Sequence, residues 1–165
     1  ALYHFLSGYS AKVAGTEVGL GKDPQATFST CFGAPFMMLR PSIYAELLGK
    51  KIRTHGSKCW LVNTGWTGGA YGHGRRMRIS HTRTLLHAAL GGMLDSVPVF
   101  TEPFFNLAVP LECEGVPQDI LNSRNTWPDK HAYDLRAREL AAQFKSNFEQ
   151  FVADVPREIV AAGPG

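Results

Sequence analysis

A glycine-rich stretch between an apolar run and a group of basic residues limits the fold of this chain more than any other feature. The stretch covers residues 58–84 and contains the apolar run 59–62, five glycines within residues 65–74, and four arginines with two histidines. Glycines favour tight or adaptable loops because they adopt backbone conformations that other residues avoid. We therefore expect a short buried strand, a loop and a positively charged surface, which together suit an anion that carries an aromatic ring.

Length and composition narrow the class of protein. A chain of 165 residues, 44% of them hydrophobic, can bury one substantial core, so we expect one domain, or a piece of one, over residues 1–165 without an internal boundary. No apolar run reaches about 18 residues, so no membrane span is expected. The net charge of +3 is mild for a nucleic-acid-binding protein. Cys31, Cys59 and Cys113 are odd in number and far apart, which argues against a disulfide scaffold or zinc site and favours a reducing, cytoplasmic setting.

Four segments carry apolar residues at helical spacing, which predicts four amphipathic helices. The first is expected over residues 2–14, closed by Gly15 and Gly19, and the second over residues 41–56, with Pro41 first and Gly56 at the C-cap. The third is expected from near Thr82 to near Gly91. The fourth is expected from a capping box at residues 126–129 to about residue 152. The last helix carries its aromatic side chains on one stripe and is expected to pack against a core.

The other segments predict short strands and loops. Strands are expected at residues 59–62 and 77–80, and the proline-interrupted stretch 97–114 favours edge strands. The remaining expectations are a polar loop at residues 16–27, an irregular buried segment at 28–39, mostly loop at 115–128, and a surface terminus at 161–165.

The glycines have the spacing of a phosphate-binding P-loop over residues 69–76. That motif needs Lys followed by Ser or Thr, and it needs a helix after the loop. Here Arg75 and Arg76 occupy those two positions and a strand-like run follows, so the match is not a P-loop. An ordinary mobile hairpin connection is the alternative interpretation of these glycines.

The arginines after the loop point more directly to a ligand. Arg76 and Arg78 alternate with Met77 and Ile79, so a strand would place the two arginines on one face. Guanidinium groups stack on flat rings and form forked hydrogen bonds. Thr82 falls in the first turn of the expected helix, where backbone N–H groups are free to meet a polar ligand atom. A solvated charge cluster with a helix cap is the alternative, and no complete catalytic constellation accompanies these residues.

Several ordered motifs resemble one family along nearly the whole chain. These motifs are Tyr3-His4-Phe5-Leu6-Ser7-Gly8-Tyr9, Ala14-Gly15-Thr16-Glu17, Phe28-Ser29, Cys31-Phe32-Gly33-Ala34, Leu61-Val62-Asn63-Thr64-Gly65-Trp66, Phe105-Asn106-Leu107 and Ala161-Ala162-Gly163-Pro164. The sequence resembles the C-terminal portion of ATP-dependent phosphoenolpyruvate carboxykinase. The resemblance implies an α/β fold, with a mixed sheet and flanking helices, that forms part of the C-terminal mononucleotide-binding domain.

The resemblance also implies a reaction. Enzymes of this family convert oxaloacetate and ATP to phosphoenolpyruvate, ADP and carbon dioxide in gluconeogenesis, with Mg²⁺ and/or Mn²⁺. The family's P-loop, metal ligands and oxaloacetate-binding residues are expected upstream of this chain, in a missing N-terminal part. The isolated fragment is therefore expected to be inactive and to contain no catalytic residue and no metal ligand.

The adenosine side of the ATP cleft is what the resemblance assigns to these 165 residues. The family has an Arg followed by an apolar residue, and a Thr six positions after that Arg, which match Arg76, Met77 and Thr82. Met77 stands where some relatives have Ile. The loop at residues 68–74 has no assigned role. Two other classes stay open, namely a non-catalytic nucleotide- or anion-binding module and a basic domain that associates with nucleic acid.

Overall fold

The computed structural model describes residues 1–12, 25–69 and 72–165. These residues form two compact units, which we call the first and the second unit. The first unit contains residues 1–59 and 141–164, and the second contains residues 60–140 and Gly165. The expectation that all 165 residues belong to one nucleotide-binding domain stays a prediction, because a compact unit is not by itself a separate domain.

Helices and short strands alternate along the described parts of the chain. The helices are α1 (Leu2–Ser7), α2 (Pro41–His55), α3 (Ile79–Leu90), α4 (Gln118–Leu121), α5 (Ser123–Thr126), α6 (Lys130–Phe148) and α7 (Arg157–Ala161). Short 3₁₀ helices lie at Thr30–Phe32, Ala34–Phe36 and Glu149–Asp154. The strands are β1 (Tyr9–Lys12), β2 (Gln25–Phe28), β3 (Trp66–Thr67), β4 (Arg75–Arg76), β5 (Val99–Thr101) and β6 (Ala108–Pro110).

The six strands form three separate antiparallel pairs among the described residues, namely β1 with β2, β3 with β4, and β5 with β6. The α/β character expected from the sequence is confirmed. The expected mixed sheet is not found in the described parts, because each of these strands has only one partner. The hairpin β5–β6 agrees with the prediction of edge strands, since Pro98 and Pro110 border or end its strands and cannot donate to a further neighbour.

The first predicted helix was too long. Gly8 adopts the left-handed conformation with φ of 59° and ends α1 after Ser7. A Cβ atom at position 8 would collide with the Ser29 carbonyl, so the chain turns sharply here and continues as β1. Gly15, Gly19 and most of the predicted loop at 16–27 lie outside the described residues, whereas residues 25–27 belong to β2 and not to a loop.

Two other predictions for the first unit had different outcomes. After Phe28, which ends β2, the segment 28–39 is irregular as expected, but it is buried only in part, since Cys31 is buried whereas Phe36 and Met38 are 84% and 92% exposed. The helix predicted over residues 41–56 is confirmed. It begins at Pro41, whose missing N–H costs nothing at the first helical position, and Gly56 closes it with φ of 58°.

The two strands predicted on either side of the glycine-rich loop are absent from the structure. Residues 59–62 lie in no strand, and Leu61 is 57% exposed, so the expected burial on both sides is also wrong. The strand predicted at 77–80 is replaced by an earlier helix start, because α3 begins at Ile79 and not near Thr82. The helix ends at Leu90, before Gly91, as predicted.

The last long helix follows its predicted stripe. It begins at Lys130 because the Asp129 carboxylate accepts hydrogen bonds from the backbone N–H groups of His131 and Ala132. The helix ends at Phe148 and a 3₁₀ helix continues to Asp154. The segment expected to be mostly loop at 115–128 contains α4 and α5.

Each unit has its own core. In the first unit the Tyr3 ring stacks on Phe148 with ring centres 3.8 Å apart, beside the buried Leu6, Phe144 and Phe151. In the second unit Ala88, Leu94, Cys113 and Val116 are buried together, with Trp60 packed against them. The predicted surface terminus is wrong at one position, because Gly163 is buried.

Candidate functional site

The candidate site is built on the ribbon formed by β3 and β4 in the second unit. In this antiparallel pair Trp66 lies opposite Arg76, and Thr67 lies opposite Arg75. The backbone N–H of Met77 donates to the Gly65 carbonyl at 2.8 Å and extends the pairing by one step. The glycine-rich segment is thus a hairpin connection between two strands, of which residues 70 and 71 lie outside the described part. A strand after the loop agrees with the rejection of a P-loop.

Side chains on both sides of β3 fix this ribbon. The Asn63 carboxamide accepts a hydrogen bond from the Gly65 N–H and donates one to the Trp66 carbonyl, both at 2.9 Å. On the other side, the Thr126 hydroxyl accepts hydrogen bonds from the Thr67 hydroxyl and the Gly68 N–H, both at 3.0 Å. Backbone and side-chain bonds therefore hold β3 in one position.

Arg76 presents an exposed cation on this ribbon. Its guanidinium carbon lies 5.5 Å from the centre of the Trp66 ring, within the range of a cation–π interaction. The side chains of Arg75 and Arg78 are also exposed. Guanidinium groups carry a positive charge, so this surface attracts anions. The geometry fits an anionic or aromatic ligand that approaches from solvent.

Met77 and Thr82 lie close to Arg76 in sequence but in different surroundings. Met77 is 8% exposed and Thr82 is half-buried, so Met77 offers mainly apolar packing and backbone atoms. The predicted alternation of arginines and apolar residues holds at Met77 and fails at Ile79, which is 70% exposed because α3 begins there.

The predicted role of Thr82 in the first helical turn needs a correction. Its backbone N–H donates to the Arg78 carbonyl at 3.1 Å, because Thr82 is the fourth residue of α3. The N–H groups without such a partner one turn earlier belong to Ile79, Ser80 and His81. The hydroxyl of Thr82, and not its N–H, is therefore the group available for the predicted contact.

Sequence reasoning missed the residues that support the site. None of Trp66, Asn63 and Thr126 was among the predicted site residues. An Asn two residues before a glycine is a common turn former, so Asn63 carried a local signal. Nothing local connects Thr126 with Gly68, since 58 residues separate them.

The described residues do not fit a divalent cation. Within residues 1–12, 25–69 and 72–165, no three His, Cys, Asp or Glu side chains are grouped closely enough to hold a metal ion. Cys31, Cys59 and Cys113 are all free thiols, and burial raises the pKa of Cys31 and Cys113. No helix in the described ranges has the length and hydropathy to cross a membrane.

Comparison with known proteins connects this geometry to one family. The family model described as phosphoenolpyruvate carboxykinase matches residues 1–119. A phosphoenolpyruvate carboxykinase (ATP) of Geotalea uraniireducens is 58% identical over 159 residues, which are 96% of this chain and 30% of that protein. Relatives of the same name from Thermus thermophilus (55% identical) and Moorella thermoacetica (56%) match over 99% of this chain and 31% of their own length.

These matches have two consequences. The chain spans about 30% of the length of the curated relatives it matches. The resemblance expected from the sequence motifs is confirmed, because both the family match and the identities extend over most of the chain. This chain therefore belongs to the family of ATP-dependent phosphoenolpyruvate carboxykinases.

Proposed function

We propose that this chain forms the adenosine side of the ATP cleft in an ATP-dependent phosphoenolpyruvate carboxykinase. The complete enzyme would convert oxaloacetate and ATP to phosphoenolpyruvate, ADP and carbon dioxide, a step of gluconeogenesis in the cytoplasm. The observation that carries the proposal is the exposed guanidinium of Arg76, held over Trp66 beside the buried Met77. Membership of the family supports the same assignment of these residues to the adenosine side of the cleft.

Three residues share the contact with adenosine in this proposal. The Arg76 guanidinium lies along the ribose or base, because its plane suits stacking on a purine. The Met77 N–H is already bonded to Gly65, so its backbone contact is made through the carbonyl, which accepts from an amino group. The Thr82 hydroxyl hydrogen-bonds the adenine ring. A carbonyl acceptor favours the amino group of adenine over the carbonyl of guanine.

The remaining parts of the reaction are assigned to other regions of the polypeptide. An N-terminal part of the polypeptide would bind the phosphates, Mg²⁺ and/or Mn²⁺, oxaloacetate and phosphoenolpyruvate. This chain would contribute to the mononucleotide-binding domain. The exposed apolar side chains of Ile79, Leu90 and Met93 support this view, since they are 70%, 85% and 59% exposed on or just after α3. Such a surface is typical of one that another part of a protein covers.

The first test is Arg76→Ala in the complete enzyme. We expect the KM for ATP to rise about five- to thirty-fold, since a cation stacked on a partly desolvated ring contributes about 1–2 kcal/mol. The KM for oxaloacetate should change little. Arg136→Ala is the matched control, because Arg136 is an exposed arginine on α6 that pairs with Glu139. An unchanged KM for ATP in Arg76→Ala would contradict the proposal.

A second test uses the 165-residue chain alone. We expect no carboxykinase turnover from it, because the groups assigned to phosphate, metal and oxaloacetate are not among its predicted site residues. Measured turnover by the purified chain would refute this assignment of the site.

Ligand titrations separate the proposal from the other two classes. ATP, GTP and a short DNA are added to the chain while tryptophan fluorescence of Trp60 and Trp66 is recorded. A preference for ATP over GTP supports an adenosine site, whereas equal binding of both supports a general anion module. Binding of DNA that weakens steeply with salt supports association with nucleic acid.

A further inference from the structure

We propose that Trp66 is a positioning residue for ATP, whose indole ring holds Arg76 so that the other face of the guanidinium meets the adenine. The inference rests on the proposed adenosine role of Arg76 and adds a specific cause for its orientation. Trp66 does not need to touch the nucleotide for this role.

The two side chains are neighbours across the ribbon. Trp66 and Arg76 are directly opposite each other in the antiparallel register, so both project from the same face. The guanidinium carbon lies 5.5 Å from the centre of the indole ring. Trp66 is half-buried and Arg76 is exposed, which leaves part of the guanidinium open to solvent. A cation in this position is attracted to the negative face of the indole.

The indole itself is attached to a fixed piece of backbone. The Trp66 carbonyl accepts a hydrogen bond from the Asn63 side chain at 2.9 Å, and the next residue is tied to Thr126 at 3.0 Å. On the partner strand, the Met77 N–H donates to Gly65 at 2.8 Å. These bonds fix the backbone that carries the pair, and the half-buried indole has less freedom to move than the exposed arginine.

Such an arrangement lowers the conformational entropy that the arginine side chain loses when a base binds. A free, exposed arginine samples many rotamers, and ordering it on a ligand opposes binding. An arginine already in cation–π contact with Trp66 has lost part of this freedom before the nucleotide arrives. Because a guanidinium is planar, it can stack on indole with one face and on a purine with the other.

The test compares Trp66→Leu and Trp66→Phe in the complete enzyme. Loss of a cation–π contact at an exposed site predicts a rise of about two- to five-fold in the KM for ATP for Trp66→Leu. Trp66→Phe should show a smaller rise, since phenyl is a weaker partner than indole. The kcat and the KM for oxaloacetate should not change. An unchanged or lowered KM for ATP in Trp66→Leu would overturn the inference.

A second cation–π pair in the same unit is the control for effects on the KM for ATP that any lost cation–π contact would cause. The guanidinium of Arg138 lies 5.7 Å from the ring of Phe104, and neither residue belongs to the ribbon. Phe104→Leu removes this second cation–π contact and should leave the KM for ATP unchanged. An equal rise in Phe104→Leu and Trp66→Leu would mean that the effect is not specific to Arg76, which also refutes the inference.

A double-variant cycle separates positioning from packing. In an Arg76→Ala background, Trp66→Leu should cause no further rise in the KM for ATP, because the indole then has no guanidinium to hold. A full additive rise would show that Trp66 acts in another way. If Trp66→Leu does not fold, Trp66→Phe in both Arg76 backgrounds gives the same comparison.

The cycle also separates this inference from the proposed function. When Arg76→Ala raises the KM for ATP and the Trp66 variants do not, only the positioning role fails. When Arg76→Ala leaves the KM for ATP unchanged, the proposed adenosine role of Arg76 is wrong, and the positioning role of Trp66 is wrong with it.

Discussion

The hydroxyl groups of Thr67 and Thr126 are joined by a hydrogen bond of 3.0 Å although 59 residues separate them in the sequence. The Thr126 hydroxyl also accepts from the Gly68 N–H and donates to the Ser123 carbonyl at 2.8 Å. One hydroxyl group thus ties the glycine-rich end of β3 to the short helix α5.

Replacing this hydroxyl should destabilise the ribbon. Thr126→Val keeps the shape of the side chain but leaves the Thr67 hydroxyl, which is part of a residue only 7% exposed, without its acceptor. We expect a loss of about 1–3 kcal/mol in the free energy of unfolding, measured by urea denaturation, because a buried polar group loses its partner.

The exposed Thr101 on β5 provides the control for this substitution. Thr101→Val should change the free energy of unfolding by no more than about 0.5 kcal/mol. Equal effects of the two substitutions would show that the Thr67–Thr126 hydrogen bond does not stabilise the protein.

A second prediction concerns the ion pair between Arg124 and Asp134. Two hydrogen bonds of 2.7 and 3.0 Å join the guanidinium to the two carboxylate oxygens. The hydrogen bond from Arg124 holds the pKa of Asp134 below its ordinary value of 3.8. Because the folded state lowers this pKa, the pair stabilises the protein fully above pH 3.8, and this contribution is lost as the pH falls through the lower, folded-state pKa.

Urea denaturation across a series of pH values tests this dependence. Asp134→Asn should be less stable than the unsubstituted protein at neutral pH, and the difference should shrink as the pH falls below 3.8. Glu139→Gln, in the exposed pair with Arg136, is the control and should have little effect. A difference for Asp134→Asn that is the same at every pH would contradict the role of this carboxylate.

The phenol of Tyr133 should titrate unusually late. Burial, with Glu102 and Asp134 as further causes, raises its pKa from 10.0 to about 12. Since the folded state favours the neutral phenol, its contribution to stability is complete below pH 10.0 and is lost as the pH rises towards about 12. The difference in tyrosinate absorbance between the unsubstituted protein and Tyr133→Phe should therefore show a midpoint near 12. A midpoint near 10.0 would contradict the burial of this phenol.

Gly163 cannot be enlarged without moving an aromatic ring. A Cβ atom there would lie 2.5 Å from the Tyr3 ring, which is stacked on Phe148 and donates a hydrogen bond to the Phe144 carbonyl. Gly163→Ala should reduce the free energy of unfolding by about 1–3 kcal/mol, the usual cost of overpacking a core.

Gly65→Ala is the control for this prediction, because its new Cβ atom would make an ordinary contact of 3.6 Å with Asn63. Thermal denaturation of both variants gives the comparison. A Gly163→Ala protein as stable as the Gly65→Ala protein would show that Tyr3 moves aside easily.

The features that depend on neighbouring residues could be predicted from the sequence. Helix α2 begins and ends where Pro41 and Gly56 place its limits, and α6 buries its predicted aromatic stripe. Each family motif is likewise a run of adjacent residues, so the resemblance is visible in the sequence itself. The first helix was misjudged, because its apolar spacing continued past Gly8 while the close approach of Ser29 forced a turn there.

Sequence alone determined the family, the helical limits around residues 41–56, and the choice of Arg76, Met77 and Thr82 as candidate ligand contacts, whose roles stay predictions. Tertiary structure decided what surrounds them. It placed the Trp66 ring under Arg76, tied β3 to Thr126, and set the start of α3 at Ile79. The tie to Thr126 joins residues 58 positions apart, and the Trp66–Arg76 contact requires the hairpin to close in one register. The free energy of such contacts comes from packing and hydrogen bonding that no local pattern of residues records.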